Sequence, residues 1–184
     1  AKSDDKWQVT DSSGNAAMYD HVVFACHSGQ ALKMIHSPTS LHRDILGNIP
    51  YAENDVVMHK DISQLPKRKL AWASWNYSLK EDASEEARPA SVTYNMNILQ
   101  RLEAQSTYCV TLNNTAEIDQ KSILRSYQYA HPQYSASMVN AQARRNEICG
   151  VDNLHFCGAY WYNGFHEDGV TSALDVCSRF GEAL

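Results

Sequence analysis

Gly158-Ala159-Tyr160-Trp161-Tyr162-Asn163-Gly164-Phe165-His166-Glu167-Asp168-Gly169-Val170-Thr171-Ser172-Ala173-Leu174 is the stretch that decides the fold. A short apolar run at 153–157 precedes it, and apolar residues recur at helical spacing from Val170 to Phe180, which predicts the order strand, loop, helix. The glycines at 158, 164 and 169 let the backbone bend and approach another molecule closely. Asp168 is expected to cap a helix that begins at Gly169 or Val170.

The start of this helix is a candidate ligand site. The first amides of a helix have no intrahelical acceptor and carry a partial positive charge, which suits an electron-rich ligand. A turn that only reverses the chain explains the same spacing, and on spacing alone it is the more economical interpretation.

These residues also carry a family resemblance. The segment Leu154–Leu174 resembles the C-terminal FAD-binding segment of the flavin-containing amine oxidase and phytoene desaturase superfamily. The resemblance implies that FAD is the cofactor and that the helix start faces the pyrimidine edge of the flavin, where negative charge develops on reduction. Many members have an acidic residue directly after the strand-end glycine, whereas this chain has Ala159, so the resemblance implies no carboxylate contact at that point.

The resemblance further implies which residues contact FAD. Gly158 and Ala159 would lie near the ribityl or pyrophosphate part, and residues 166–170 near the ring. The implied cofactor-binding set is Gly158, Ala159, Tyr160, Gly164, Phe165, His166, Glu167, Asp168, Gly169 and Val170. His166 and Glu167 are also weak candidates for a catalytic proton shuttle, although capping of the loop or pairing with the ribityl hydroxyls would explain either residue equally well.

A second stretch, Tyr19–Ser28, resembles the strand by which the same family returns from its substrate side to the FAD sheet. Together with AWASWNY at 71–77 and TYNMN at 93–97, it is most similar to bacterial predicted NAD/FAD-binding oxidoreductases, which are often linked to unsaturated or cyclopropane fatty acids. No GxGxxG follows a strand, so the N-terminal dinucleotide fingerprint is missing. We therefore expect the chain to be the C-terminal part of a longer flavoprotein, with self-association through surface that truncation exposes.

The patterns along the chain predict an α+β fold. Strands are predicted at 55–60, 70–77, 92–96, 107–112 and 123–130, forming an antiparallel sheet of about five members. A hairpin is predicted from 6–10 and 19–26 across the turn 11–15, and a mobile surface loop at 80–91. Helices are predicted at 29–35, 38–46, 98–104 and 136–148.

Two domains follow from the resemblance and these elements. Residues 1–27 and 150–184 are expected to be the strand and helix pieces of an FAD/NAD(P)-binding α/β domain. Residues 28–149 are expected to form the inserted substrate domain, an antiparallel sheet with helices.

Composition argues against several functions. A net charge of −5 gives no electrostatic reason to expect nucleic-acid binding. The apolar runs are far shorter than the roughly 20 residues that span a bilayer, and the N-terminus lacks a signal-peptide pattern, so we expect a cytoplasmic protein without a transmembrane segment. The eight histidines form no HxxxH or HExxH pair, so no metal site is expected.

An apolar small-molecule substrate fits the aromatic content. Candidate substrate contacts are Trp72, Trp75, Tyr94, Trp161 and Tyr162, although packing against the sheet also calls for aromatic residues. In strand 71–77, alternation puts Asn76 on a polar face that could form a site wall. The basic trio at 67–69 either faces solvent or attracts an anionic head group or a carrier protein.

Two function hypotheses remain open on the sequence. The first is the C-terminal portion of an FAD-dependent, amine oxidase-like oxidoreductase that transfers a hydride from an apolar substrate, such as a fatty-acyl chain, to flavin; this chain alone is expected to be inactive. The second is a non-enzymatic module that binds a ligand or partner without flavin. The substrate, the electron acceptor and the oligomeric state are not fixed by the sequence.

Overall fold

A computed structural model describes residues 2–3, 5–78 and 91–182. The loop predicted at 80–91 lies outside these residues, apart from Ser91, which begins a strand. The chain divides into two compact units, which are described separately: unit 1 comprises Ala1–Tyr51 and Pro132–Leu184, and unit 2 comprises Ala52–His131. The assignment of 1–27 and 150–184 to an FAD domain, and of 28–149 to a substrate domain, stays a prediction.

The mixed helix and strand content confirms the predicted α+β class. The strands are β1 Lys2–Ser3, β2 Lys6–Thr10, β3 Ala16–Tyr19, β4 Val22–Phe24, β5 Tyr51–His59, β6 Trp75–Ser78, β7 Ser91–Asn95, β8 Cys109–Leu112, β9 Ile123–Pro132 and β10 Leu154–Phe156. The α-helices are α1 Ser28–Met34, α2 Ser40–Gly47, α3 Met96–Leu99, α4 Ala136–Ala143 and α5 His166–Ser178.

Unit 1 contains the predicted hairpin, with one correction. The Asp11 carboxylate accepts hydrogen bonds from the Ser13 and Asn15 amides at 2.8 and 2.9 Å, which fixes the turn between β2 and β3. The second strand of the hairpin is β3, and β4 instead pairs with β10 in parallel, with Phe24 opposite Phe156. The prediction that 19–26 pairs in the hairpin was wrong, because the chain leaves β3 after Tyr19 and begins a separate sheet at Val22.

The core of unit 1 packs helices around the β4–β10 pair. Phe156 is fully buried and stacks on Phe24 with ring centroids 5.3 Å apart. Helices α2, α4 and α5 each contribute a buried apolar residue from the face that packs on the core. These residues are Ile45, Met138 and Val176. Burial of these side chains is the main stabilising contribution to the unit.

Unit 2 is built on a five-stranded sheet in the order β6-β7-β8-β5-β9. The three pairings β6–β7, β7–β8 and β8–β5 are antiparallel, as the sequence predicted. Trp72 lies before the sheet, because β6 begins only at Trp75 and residues 69–71 form a 3-10 turn. The short helix α3 ends at Leu99 rather than at 104, so its predicted span was too long.

Two helix ends also differ from prediction. Thr39, one residue after Pro38, caps α2 by accepting from the His42 amide at 3.1 Å. Helix α4 ends at Ala143, and a 3-10 turn at Arg145–Glu147 replaces the last predicted turn. Among the residues that the structure describes, no helix combines the length and the apolar character needed to cross a bilayer.

Candidate functional site

The carboxyl ends of β4 and β10 meet in unit 1. The two strands run in parallel register, and the Cys157 amide donates to the Phe24 carbonyl at 3.0 Å just beyond them. From this edge the chain enters α1 on one side and the loop 158–165 on the other. In open parallel sheets, ligands bind outside the carboxyl ends of the strands, so this edge is the candidate site.

A buried serine joins the end of β10 to the start of α5. The Gly158 amide donates to the Ser172 hydroxyl at 2.8 Å, and that hydroxyl donates to the Gly169 carbonyl at 2.8 Å. Ser172 is fully buried. The strand, the loop and the first turn of the helix are therefore held in one fixed arrangement.

The three glycines of this segment have different reasons to be glycine. At Gly158, with φ +156°, an added Cβ would lie 2.4 Å from the Tyr160 ring. At Gly164, with φ +87°, it would lie 2.4 Å from the Tyr134 hydroxyl. At Gly169 the nearest atoms would be 3.9 Å away, in ordinary contact with Ala159. Local backbone and packing therefore require the first two glycines and leave the third unexplained.

Helix α5 begins one turn earlier than the sequence predicted. Its first residue is His166, so Asp168 is not the residue that precedes the helix. Asp168 instead lies in the first turn, where its carboxylate accepts from the Phe165 amide at 2.9 Å. The expected cap is thus wrong in position but correct in chemistry, because an aspartate satisfies amides from either side of a helix start.

The helix start is open to solvent but carries acidic side chains. Phe165, His166, Glu167 and Val170 are exposed, and Gly169 is half-buried. The amides of the first turn have no intrahelical acceptor, so they can bind a ligand. Glu167 and Asp168 in this turn offset part of the positive end of the helix dipole.

The aromatic residues that follow Gly158 belong mostly to the core. Tyr160 and Trp161 are each 4% exposed, with ring centroids 5.0 Å apart. Burial raises the pKa of Tyr160, and neither its hydroxyl nor the Trp161 indole nitrogen has a hydrogen-bond partner in the described structure. Tyr162 is half-buried, and its hydroxyl donates to Asp175 at 2.5 Å.

A polar pocket of about 400 Å³ opens beside these aromatics. Its lining includes Trp161, Tyr162, Gln142, Arg145, Asp175 and Arg179. The Gln142 amide group donates to the carbonyls of Tyr160 and Tyr162 at 2.9 and 2.7 Å, which fixes the loop from α4. Sequence reasoning did not single out these polar partners, since residues 30 positions apart, such as Arg145 and Asp175, give no periodic signal.

Further polar groups meet where α1 begins. The Ser28 amide donates to the Tyr51 hydroxyl at 3.2 Å, and the His27 ring stacks on the Tyr51 ring with centroids 4.5 Å apart. The Ser28 hydroxyl is buried and has no hydrogen-bond partner in the described structure, like the Tyr160 hydroxyl. Such unpaired buried groups mark positions where a water or a ligand atom would be stabilised.

The substrate candidates of unit 2 are split by the fold. Trp75 and Tyr94 lie opposite each other on β6 and β7, with their rings 5.3 Å apart and edge to face. The Trp72 indole donates to the Pro66 carbonyl at 2.8 Å outside the sheet. Asn76 is 9% exposed and bonds backbone groups, so the polar face of β6 is buried and is not an open wall.

The described residues contain no group of three or more His, Cys, Asp or Glu side chains placed to hold a metal ion.

In unit 1, an apolar cavity of about 530 Å³ lies between the hairpin, β4 and the end of α1. Its walls include Trp7, Val9, Phe24, Met34 and Leu154.

No family model matches the chain, and no curated protein sequence matches it. Solved structures do share its fold. Reduced UDP-galactopyranose mutase matches with a TM-score of 0.63 and 12% identity, over 96% of this chain and 44% of the mutase chain. The CLA-producing fatty acid isomerase of P. acnes matches with a TM-score of 0.64 and 14% identity, over 96% of this chain and 45% of the isomerase chain. The chain thus spans less than half the length of either enzyme.

Proposed function

We propose that this chain is the C-terminal portion of an FAD-dependent, amine oxidase-like oxidoreductase, in which an apolar substrate such as a fatty-acyl chain gives up a hydride to flavin. The enzyme would be the longer protein, and this chain alone would be inactive. Two lines of support are independent of each other: the resemblance of Leu154–Leu174 to an FAD-binding segment, and the shared fold with two enzymes of about twice its length.

The observation that carries the proposal is Gly169. It lies in the first turn of α5, where neither the backbone conformation nor a neighbouring atom excludes a side chain. Glycine in a helix costs about 1 kcal/mol relative to alanine. A ligand that approaches the helix backbone closely would explain why that cost is tolerated at this residue.

The residues present fit a flavin at this position. The first-turn amides of α5 would bind the ring edge, with exposed Phe165 and Val170 beside it, and Gly158 and Ala159 would lie near the ribityl or pyrophosphate part. Tyr160 would contribute its unpaired hydroxyl rather than its ring, because the ring is buried against Gly158. When bound, FAD would supply the electron acceptor.

The polar residues in the first turn of α5 have separate roles in the proposed site. Asp168 already accepts from the Phe165 amide, so its function in the proposed site is to hold the loop. Glu167 and His166 are exposed and are the groups able to exchange a proton with solvent or substrate. If Glu167 only adds negative charge, Glu167→Gln tightens FAD binding; if it moves a proton, the same change lowers turnover with FAD content unchanged.

FAD content tests the proposal. The polypeptide that includes the upstream segment is expected to purify yellow with bound FAD, whereas this chain alone binds added FAD weakly or not at all. In the longer polypeptide, Gly169→Ala should lose FAD, whereas its urea midpoint, measured after flavin is removed from both proteins, should be no lower than that of the parent. Gly47→Ala is the matched control, because Gly47 is also helical and its added Cβ would make only an ordinary contact at 3.8 Å with Leu32.

A longer polypeptide that purifies without flavin, and cannot be loaded with it, would favour the non-enzymatic ligand- or partner-binding module instead. Full FAD content in the Gly169→Ala variant would contradict the role given to the start of α5. We also propose that this chain self-associates in isolation through apolar surface such as the cavity lined by Trp7 and Met34, which analytical ultracentrifugation checks.

A further inference from the structure

The sheet of unit 2 buries its polar face. Side-chain hydrogen bonds cross three strands, from His59 to Thr111 at 2.7 Å and from Thr111 to Thr93 at 2.8 Å. Asn76 on β6 continues the network by donating to the Thr93 carbonyl at 3.1 Å. These residues are at most 9% exposed, so polar groups that a one-sided sheet normally turns to water are enclosed here.

The opposite face of the same four strands is apolar and only partly covered. One row across the strands is Trp75, Tyr94, Val110 and Met58, and the next is Tyr77, Val92, Leu112 and Val56. We call these eight residues the apolar wall. Trp75 is 45% exposed and Tyr77 is 64% exposed, Tyr94, Val110, Met58 and Leu112 are half-buried, and Val92 and Val56 are buried. The accessible part of the wall is therefore the first row together with Tyr77 and Leu112. A partly exposed apolar surface of this kind is characteristic of a binding site.

A positive charge lies near one end of the apolar wall. Lys60 comes directly after β5, two residues beyond Met58, and its ammonium lies 5.2 Å from the centroid of the Tyr108 ring, two residues before Val110. Lys60 is exposed, and within the described part of the chain no carboxylate lies within ion-pair distance of it. The aromatic ring holds the ammonium at the edge of the wall without neutralising it.

We propose that the apolar wall binds an elongated apolar molecule that carries one anionic group, with the anion at Lys60 and the chain extending across the strands toward Trp75 and Tyr77. Three strand spacings of about 4.8 Å separate β5 from β6, so the chain covers about 14 Å. An extended chain advances roughly 1.2 Å per bond, which corresponds to about a dozen bonds. Charge complementarity at one end and apolar contact along the row Met58, Val110, Tyr94 and Trp75 select this class of ligand.

The basic trio Lys67–Lys69 is the alternative anchor in the same unit. Lys69 also lies over an aromatic ring, 5.7 Å from the centroid of Trp72. Trp72 precedes the sheet and does not belong to the apolar wall, so an anion held by the trio would not be aligned with the two rows. Lys69→Met is therefore a matched control for Lys60→Met, since each removes one lysine from an aromatic ring.

The experiment measures binding of dodecanoate and of dodecan-1-ol to this 184-residue chain by titration calorimetry, below the concentration at which either aggregates. Lys60→Met should weaken dodecanoate binding roughly fivefold and leave dodecanol binding unchanged, as expected for loss of one exposed charge pair. Lys60→Arg should restore dodecanoate binding, and Lys69→Met should leave it unchanged. Tyr77→Ser should weaken both ligands, because it shortens the apolar surface at an exposed position.

Equal affinities of Lys60→Met and the parent chain for dodecanoate would overturn the proposal, as would a loss confined to Lys69→Met. Dimers that form at micromolar concentration and dissociate in Tyr77→Ser would assign the wall to a second copy of the chain instead. The inference rests on the proposed function in one respect: it identifies this ligand as the substrate that the flavin would oxidise. The two proposals can fail separately, because FAD content tests the flavin site and these titrations need no flavin.

Discussion

Arg145 and Asp175 form an ion pair of 2.6 Å between the 3-10 turn that follows α4 and the last turn of α5. The same guanidinium donates to the carbonyls of Phe156 and Ser172 at 3.0 and 2.9 Å and lies 5.4 Å from the Trp161 ring centroid. One side chain, 11% exposed, therefore links β10, α5 and the aromatic loop. Its removal would leave two inward-facing carbonyls without this donor.

We therefore expect Arg145→Met to lower the free energy of unfolding by about 2–4 kcal/mol, in the range for breaking a largely buried charged network. The adjacent Arg144 is the control. It pairs with Glu147 at 2.9 Å and with Asp44, but its side chain is 37% exposed, so Arg144→Met should lower the urea midpoint much less than Arg145→Met does. Urea unfolding followed by fluorescence measures both, and equal losses would show that the Arg145 network adds nothing.

Ser172 gives a second stability prediction. Ser172→Ala removes the acceptor of the Gly158 amide in a fully buried position, and we expect a loss of about 1–3 kcal/mol. Ser178 lies on the same helix, is exposed and donates to the Asp175 carbonyl at 2.9 Å, so Ser178→Ala should stay within about 0.5 kcal/mol. A similar midpoint for the two variants would mean that solvent or a backbone shift replaces the Ser172 hydroxyl.

Alanine substitution of the three glycines Gly158, Gly164 and Gly169 should change the free energy of unfolding differently. Gly158→Ala and Gly164→Ala should each destabilise by more than about 1 kcal/mol, because the backbone conformation and the contacts at 2.4 Å both oppose a methyl group. Gly169→Ala should be neutral or stabilising by up to about 1 kcal/mol in this chain without flavin. Destabilisation by Gly169→Ala would remove the argument that a ligand, and not the fold, requires glycine there.

Periodicity in the sequence predicted much of the fold. Alternation and turn residues identified the members of the sheet in unit 2, and helical spacing after Gly169 identified α5. The start of α5 was misplaced by one turn because aspartate caps a helix from the first turn as well as from the preceding residue. The β3 and β4 strands were merged because only a two-residue break at Asp20 and His21 separates them.

The features that could not be predicted from the sequence depend on contacts between residues far apart in the chain. Alternation in β6 separates Asn76 from Trp75 and Tyr77 but does not say which face the rest of unit 2 covers. The polar face can be buried because His59, Thr93 and Thr111 hydrogen-bond to one another across the strands. These partners are recognisable only once the pairing of the strands is known. The Arg145 network is hidden for the same reason, since its acceptors come from β10 and α5.

Buried histidines predict a loss of stability on mild acidification. Burial is the largest cause that holds the pKa of His42, His59 and His155 below the ordinary value, and for His155 the nearby His21 and Arg179 lower the pKa further. The His155 and His21 ring nitrogens lie 3.3 Å apart, a contact that needs one of them to accept and is lost when both are protonated.

The direction of the effect follows from linkage. Below the ordinary pKa of about 6.5, the unfolded chain binds protons that the folded chain resists, so the free energy of unfolding falls as the pH decreases. Aspartates with lowered pKa values act in the same direction near about pH 4, so a series from about pH 7.5 to 5.5 isolates the histidines. The urea midpoint should fall across this series. His59→Gln should flatten its slope, because His59 is fully buried. A midpoint independent of pH would mean that the three imidazoles titrate alike in the folded and unfolded chain.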